Sequence, residues 1–229
     1  MIIIRNELIT GIKQAIPVIL AYIPLGLAFG VLAHEAGLSV AEAALMSAMV
    51  FTGAGQYIAI GIIAAGGSML TIIMANLLVN LRYFLFSASM VPHLKVLPTG
   101  IASALMLGLT DETYAVAAVH FKEKPATASY LAGLNISSYL SWVISSLVGA
   151  SLGNIITNTE QLGLNFALAA MYTILLILVI SEKKHLMVAL VSVIVCLAVA
   201  YLFPATLSNL SNIIVASLVA ATLGVIIKR

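Results

Sequence analysis

Charge is what this sequence has least of. Asp, Glu, Lys and Arg make up 8% of its 229 residues, about a third of the ~25% that covers an ordinary soluble domain. Hydrophobic residues are 62% and the mean hydropathy is +1.17. A chain so poor in charge cannot be wetted by water, so hydrocarbon must face most of its exterior. Cysteine is nearly absent as well. The one cysteine, Cys196, sits in an apolar run; with no second thiol and no ligand spacing around it, neither an intrachain disulfide nor a zinc site is available.

Other signatures are missing. There is no G-x-x-x-x-G-K-[ST] loop, so the chain does not bind ATP in the Walker manner. The G-x-S-x-G and H-E-x-x-H hydrolase motifs are absent too, and the reading is of a protein that is not an enzyme and needs no cofactor. Net charge is +2 with a pI of about 8.7. The cations sit mostly in short connections, which is topological information and no nucleic-acid patch. His34, His93, His120 and His185 fall at predicted span ends, an interfacial position, and no metal-ligand spacing accompanies them. Trp142 and the tyrosines fit bundle cores and interfaces.

What is present is a series of apolar runs, each near the ~20 residues that a membrane-spanning helix requires. They cover residues 16–33, 41–65, 69–91, 99–119, 128–152, 164–180, 186–203 and 213–227. The expected fold is therefore an all-α polytopic transmembrane helix bundle of seven to eight spans, forming one integral membrane domain over 1–229. Residues 1–15 read as a cytoplasmic lead-in and not a removed signal. Basic residues cluster at Arg5 and Lys13, Lys122 and Lys124, Lys183 and Lys184, and Lys228 and Arg229. Eight spans with both termini cytoplasmic place every basic group inside except Lys95.

Three of the first four runs are interrupted by residues that break helices. Pro24 removes a backbone donor and disfavours helix at Ile23, just after Tyr22. Thr52-Gly53-Ala54-Gly55-Gln56 sets two glycines beside two hydrogen-bonding side chains. In Gly108-Leu109-Thr110-Asp111-Glu112, Gly108 suits a helix end and Thr110 an N-cap, with two carboxylates in the following first turn. Non-helical backbone in hydrocarbon survives only where protein or a water-filled cavity satisfies it, and transporters use such discontinuous helices as binding sites. Residues 16–120 are thus the expected broken-helix half that carries the site, and 121–229 the more regular half. Single breaks of this kind also serve as packing kinks.

Of the eight acidic residues, only Asp111 and Glu112 lie deep in an apolar run. A charge there costs at least ~2.5 kcal/mol on insertion, so it marks a site or a pair. Arg82 is the matching cation: it would clamp a substrate carboxylate or neutralise one of the two acids. Ideal helix rises leave roughly a 10 Å depth offset between Arg82 and Asp111, which a long arginine and an unwound Gly108–Thr110 segment would have to close for the two to pair. Asn76, Asn80, Tyr83 and Ser87 share one face of the third run, for substrate contact or interhelical hydrogen bonding. Arg82 is about 200° from Asn80 and lies off that face. Gly26-x-x-x-Gly30 and Gly149-x-x-x-Gly153 are small-residue packing patterns.

These residues together resemble a known family. Pro17-x-x-x-x-Tyr22-x-Pro24-x-Gly26-x-x-Phe29-Gly30, Thr52-Gly53-Ala54-Gly55-Gln56, Asn80-Leu81-Arg82-Tyr83 and Gly108-Leu109-Thr110-Asp111-Glu112 follow in that order. The order and spacing are similar to AzlC/YgaZ, the large subunit of branched-chain amino-acid exporters, over residues 11–120. The resemblance implies ion-gradient-driven export of leucine, isoleucine, valine and methionine across the cytoplasmic membrane of a prokaryote, with a small AzlD/YgaH-like membrane subunit as partner. It is marked by one departure. Tyr83 stands where the family often has histidine after the arginine, so a proton relay through that histidine does not carry over. The expected substrate-binding set is Tyr22, Pro24, Thr52, Gly53, Gly55, Gln56, Asn76, Asn80, Arg82, Thr110, Asp111 and Glu112. A channel-like pore, a scaffold subunit and a membrane-embedded enzyme are the rival readings.

Overall fold

The structure, a computed structural model, describes residues 2–153 and 183–204, with residues 155, 156, 163, 166, 169, 170, 173, 177, 215, 216, 219, 220, 222–224 and 226 besides. Eight helices are described: α1 Ile2–Glu35, α2 Val40–Val50, α3 Ala54–Ala64, α4 Met69–Leu94, α5 Thr99–Met106, α6 Asp111–Glu123, α7 Ala128–Leu152 and α8 Lys183–Leu202. Four of them, α1, α4, α7 and α8, are long and apolar enough to cross a membrane. The expected runs at 164–180 and 213–227 fall largely outside the described residues.

Two of the three expected breaks are present. The second run divides into α2 and α3 at residues 51–53, and the fourth into α5 and α6 at residues 107–110. The first run does not divide. The expectation of a discontinuous first span is corrected: α1 runs unbroken through both Pro17 and Pro24. Pro24 deprives Leu20 O, four residues back, of its donor, a loss that a packed membrane helix tolerates. On either side of Pro24 the helix is tied to its neighbours: Tyr57 Oη donates to Leu25 O at 2.6 Å and Ser145 Oγ lies 3.3 Å from Tyr22 O.

The centre of the fold is the pairing of α1 with α7. A Cβ added to Gly30 would strike the Ser146 carbonyl, and one on Gly149 the Leu27 carbonyl, so the small-residue patterns at Gly26–Gly30 and Gly149–Gly153 bring two backbones of this chain into contact. Around this pair, Tyr22, Phe29, Phe51, Tyr57 and Trp142 form one buried cluster, and Leu94, Phe121, Tyr130, Leu131 and Leu134 a second. Outside, Met49, Phe84 and Tyr201 are 74–86% exposed while Ser47, Gln56, Thr113 and Ser138 are fully buried. Apolar outside and polar inside is the arrangement that a lipid solvent demands.

His120 lies at the end of α6 as expected and is buried against the start of α7, its ring stacked on Tyr130 with centroids 3.7 Å apart.

Candidate functional site

Both broken runs end on the same helix. At the first break, α2 stops at Phe51, which takes a left-handed conformation (φ 39°, ψ 52°), and α3 starts from Gly53 at φ 53°. Positive φ suits glycine and is costly for a bulky residue, so the turn at residues 51–53 is held from outside. Tyr139 Oη, on α7, donates to Ala48 O in the last turn of α2 at 2.8 Å. Tyr83 Oη, on α4, donates to Thr52 O at 3.3 Å. At the second break Asn135 Nδ2, one turn before Tyr139 on α7, donates to Leu105 O at 2.7 Å. A helix end leaves carbonyls short of donors, and α7 supplies one at each break, Leu105 O also accepting from Gly108 N at 3.2 Å.

The second break is also capped from its own sequence. Thr110 accepts from Thr113 N, while Thr113 Oγ1 accepts from Thr110 N at 2.8 Å, a reciprocal capping box. Asp111 and Glu112 occupy the first turn of α6, where the helix dipole favours negative charge.

The two breaks meet at a narrow recess of about 10 Å³, lined by Tyr22, Phe51, Thr52, Gly53, Tyr83, Thr110, Asp111, Glu112 and Trp142, room for about one water molecule. Tyr22 Oη lies 2.7 Å from both Thr110 Oγ1 and Glu112 Oε2. The Tyr22 ring packs edge-on to Trp142 and Phe51 at 5.2 and 6.3 Å.

Arg82 reaches Asp111 directly, Nη2 to Oδ2 at 3.0 Å. The pair forms despite the depth offset of roughly 10 Å between ideal helices, through the unwound segment that was the route to closing it. The offset assumed one ideal helix through the fourth run, whereas the break at 107–110 lets α6 begin at its own depth. Arg82 also lies over the Tyr83 ring, 5.2 Å from its centroid. The two faces of α4 do serve different neighbours: Arg82 goes to α6, and the Asn76 stripe goes to the start of α3. Asn76 Oδ1 and Thr52 Oγ1 both crowd the point where a Cβ on Gly55 would sit. Those two oxygens and Asn80 Oδ1 are buried with no hydrogen-bond partner in the structure.

The expected residues are thus divided. Tyr22, Thr52, Gly53, Thr110, Asp111 and Glu112 line the recess, with Arg82 paired to it, Asn76 and Gly55 beside Thr52, and Asn80 one turn beyond Asn76 on α4. Gln56 is turned away. It is fully buried, donates to Ser47 Oγ at 3.0 Å and accepts from Trp142 Nε1 at 3.0 Å, a tie between α2, α3 and α7. Pro24 is inside α1 and off the recess. Trp142 and Phe51 line it without having been singled out in the sequence; the signal available for Trp142 was that it stands seven residues, two helical turns, beyond Asn135. Among the described residues no three His, Cys, Asp or Glu side chains group to hold a metal ion.

A family model described as AzlC protein matches residues 17–156, which contain both breaks, Arg82 and the whole recess. The chain belongs to the AzlC family. Its relatives include the inner membrane protein YgaZ of Escherichia coli K12, 26% identical over 92% of this chain and 88% of that one. The branched-chain amino acid transport protein AzlC of Bacillus subtilis is 26% identical over 79% of this chain and 73% of its own length. An uncharacterized membrane protein of Archaeoglobus fulgidus is 32% identical over 73% of each. No solved structure matches the chain. For this AzlC-family member the aligned region is the broken-helix half together with α7, the elements that build the recess.

Proposed function

We propose that this AzlC-family protein is a secondary carrier that exports branched-chain amino acids (leucine, isoleucine and valine, with methionine) across the cytoplasmic membrane of a prokaryote. The observation that carries the reading is the recess itself, where two helix breaks, an Arg82–Asp111 pair at 3.0 Å and a second carboxylate, Glu112, converge. A zwitterion needs both signs of charge. Arg82 is the donor for its carboxylate, in the bidentate manner that suits guanidinium. Its ammonium carries three N–H donors, and Thr52 Oγ1, Asn76 Oδ1 and Asn80 Oδ1 are buried acceptors for them. Phe51, Trp142 and Tyr22 supply apolar ring surface for the side chain. A pocket of that kind separates side chains differing by one methylene by only ~1–3 kcal/mol, so selectivity among the branched substrates is loose.

In this reading the chain works as the large subunit beside a small AzlD/YgaH-like membrane subunit, with both termini on the cytoplasmic side, drawing on an ion gradient. The name of the Bacillus subtilis relative supports the substrate class, and the basic connections support the orientation. The test is leucine efflux from preloaded vesicles holding this chain and its small partner. Wild type releases leucine and Arg82→Gln, folded and inserted, does not. Equal release by both would remove Arg82 from the site, and no release by wild type would overturn the substrate assignment.

A further inference from the structure

Tyr22 has one hydroxyl proton and two neighbours at 2.7 Å, Glu112 Oε2 and Thr110 Oγ1. It can donate to only one of them, so the other must donate to it. Thr110 Oγ1 in turn lies 3.2 Å from Thr113 Oγ1, and the Thr113 hydroxyl has two carbonyls within reach, Gly108 O at 3.4 Å and Thr110 O at 3.5 Å. Tyr22 and Thr110 are 4% exposed and Thr113 is 0% exposed, which leaves this chain of hydroxyls to satisfy itself.

The proton on Glu112 sets the direction of the first two hydroxyls. With Glu112 ionised, Tyr22 donates to the carboxylate and Thr110 to Tyr22, while Thr113 donates to Thr110 or to a carbonyl at the break. With Glu112 protonated, the acid donates to Tyr22, Tyr22 to Thr110, Thr110 to Thr113, and Thr113 to a carbonyl at the α5–α6 break. Asp111 is engaged with Arg82 at 3.0 Å, whereas Glu112 has no cation within ion-pair distance among the described residues. The titratable or charged groups facing Glu112 are Asp111 on its own helix, Arg82 and Tyr83 from α4, and Tyr22 from α1. From α7 and the α2–α3 connection, Trp142, Phe51, Thr52 and Gly53 line the recess, and none of them titrates.

We propose that Glu112 is the proton-binding carboxylate of this site and that the Tyr22 and Thr110 hydroxyls reverse their direction of donation each time Glu112 gains or loses a proton. The inference rests on the carrier reading above and deepens it. One O–H bond forms on Glu112 as a hydronium ion from solvent breaks one of its own and leaves as water, and the reverse happens on release. The Tyr22 and Thr110 O–H bonds only rotate.

The experiment is infrared difference spectroscopy of the protein with its small partner in lipid vesicles, comparing alkaline with acidic buffer. A carboxylic-acid carbonyl band is expected on acidification. It vanishes in Glu112→Gln, persists in Asp111→Asn, and moves to the frequency of a less hydrogen-bonded acid in Tyr22→Phe. Glu112→Asp restores a band. Survival of the band in Glu112→Gln overturns the assignment, and an unmoved band in Tyr22→Phe overturns the hydroxyl chain. In the efflux assay the wild type responds to an imposed proton gradient and Glu112→Gln loses that response; an equal response in both again overturns it. Wild-type vesicles that move no leucine sink the substrate reading, while the infrared band still decides for or against Glu112.

Discussion

Asn135 and Tyr139 stand one turn apart on α7 and each serves a different broken helix: Asn135 Nδ2 donates to Leu105 O at 2.7 Å, and Tyr139 Oη to Ala48 O at 2.8 Å. One unbroken helix thus holds the ends of two interrupted ones. The pairing depends on the i, i+4 spacing, which sets both donors on the same face.

Removing either donor should loosen one break and spare the other. Asn135→Leu and Tyr139→Phe are each expected to cost about 0.6–1.7 kcal/mol, the scale of interhelical hydrogen bonds within membranes. Thermal unfolding in detergent measures the loss. Because the breaks are separate, the double variant should lose the sum; a strongly sub-additive result would show that the two breaks open together.

The Arg82–Asp111 pair is 22% and 14% exposed. Full burial would make a single-partner deletion cost about 3–5 kcal/mol; partial exposure screens this to about 1–3 kcal/mol. Arg82→Gln and Asp111→Asn should each lower the unfolding temperature, and the double variant should recover part of the loss because no lone charge remains. Leucine efflux should be absent from all three. Efflux by the double variant at the wild-type rate would mean that the pair is structural.

Gly55 and Gly100 make a matched test of space. A Cβ on Gly55 meets Asn76 Oδ1 and Thr52 Oγ1, while one on Gly100 in α5 meets nothing within 4 Å. Gly55→Ala is expected to weaken leucine binding about tenfold or more, equivalent to ~1.4 kcal/mol, by pushing two proposed ammonium acceptors apart. Gly100→Ala should change stability by no more than ~0.5 kcal/mol. Isothermal titration with leucine on both variants reads the difference.

Gln56 and Trp142 form a buried tie rather than a substrate contact. Gln56→Leu leaves the Trp142 N–H unpaired and should cost about 1–3 kcal/mol of stability. Its leucine affinity, measured on the folded fraction, should stay within threefold of wild type. A selective loss of affinity would return Gln56 to the binding set.

Much of this was legible in the chain. The α2–α3 and α5–α6 interruptions could be read from Gly53, Gly55, Gly108 and Thr110, because turn geometry and capping are local chemistry. The Thr110 cap with Asp111 and Glu112 in the first turn is present as expected. Pro24 misled because a proline's effect on a membrane helix depends on the packing that holds the chain on both sides of it, and the ties beside it come from Tyr57 and Ser145, 32 and 123 residues from their partners. Trp142 was unremarkable in sequence because its role comes from what it touches: Gln56, 86 residues away, and the ring of Tyr22.

The sequence by itself determined the solvent, the helical class, the places where two helices must stop and the small set of charges admitted to the interior. Each of these follows from composition or from contacts within one turn of chain. The tertiary structure decided which charges meet. Arg82 and Asp111 are paired, and Glu112 is left to Tyr22, because the break at 107–110 frees α6 from the depth of α5 and the close approach of α1 to α7 sets Tyr22 beside it. Distances between separate helices are fixed by packing of side chains far apart in the chain, and no local pattern encodes them.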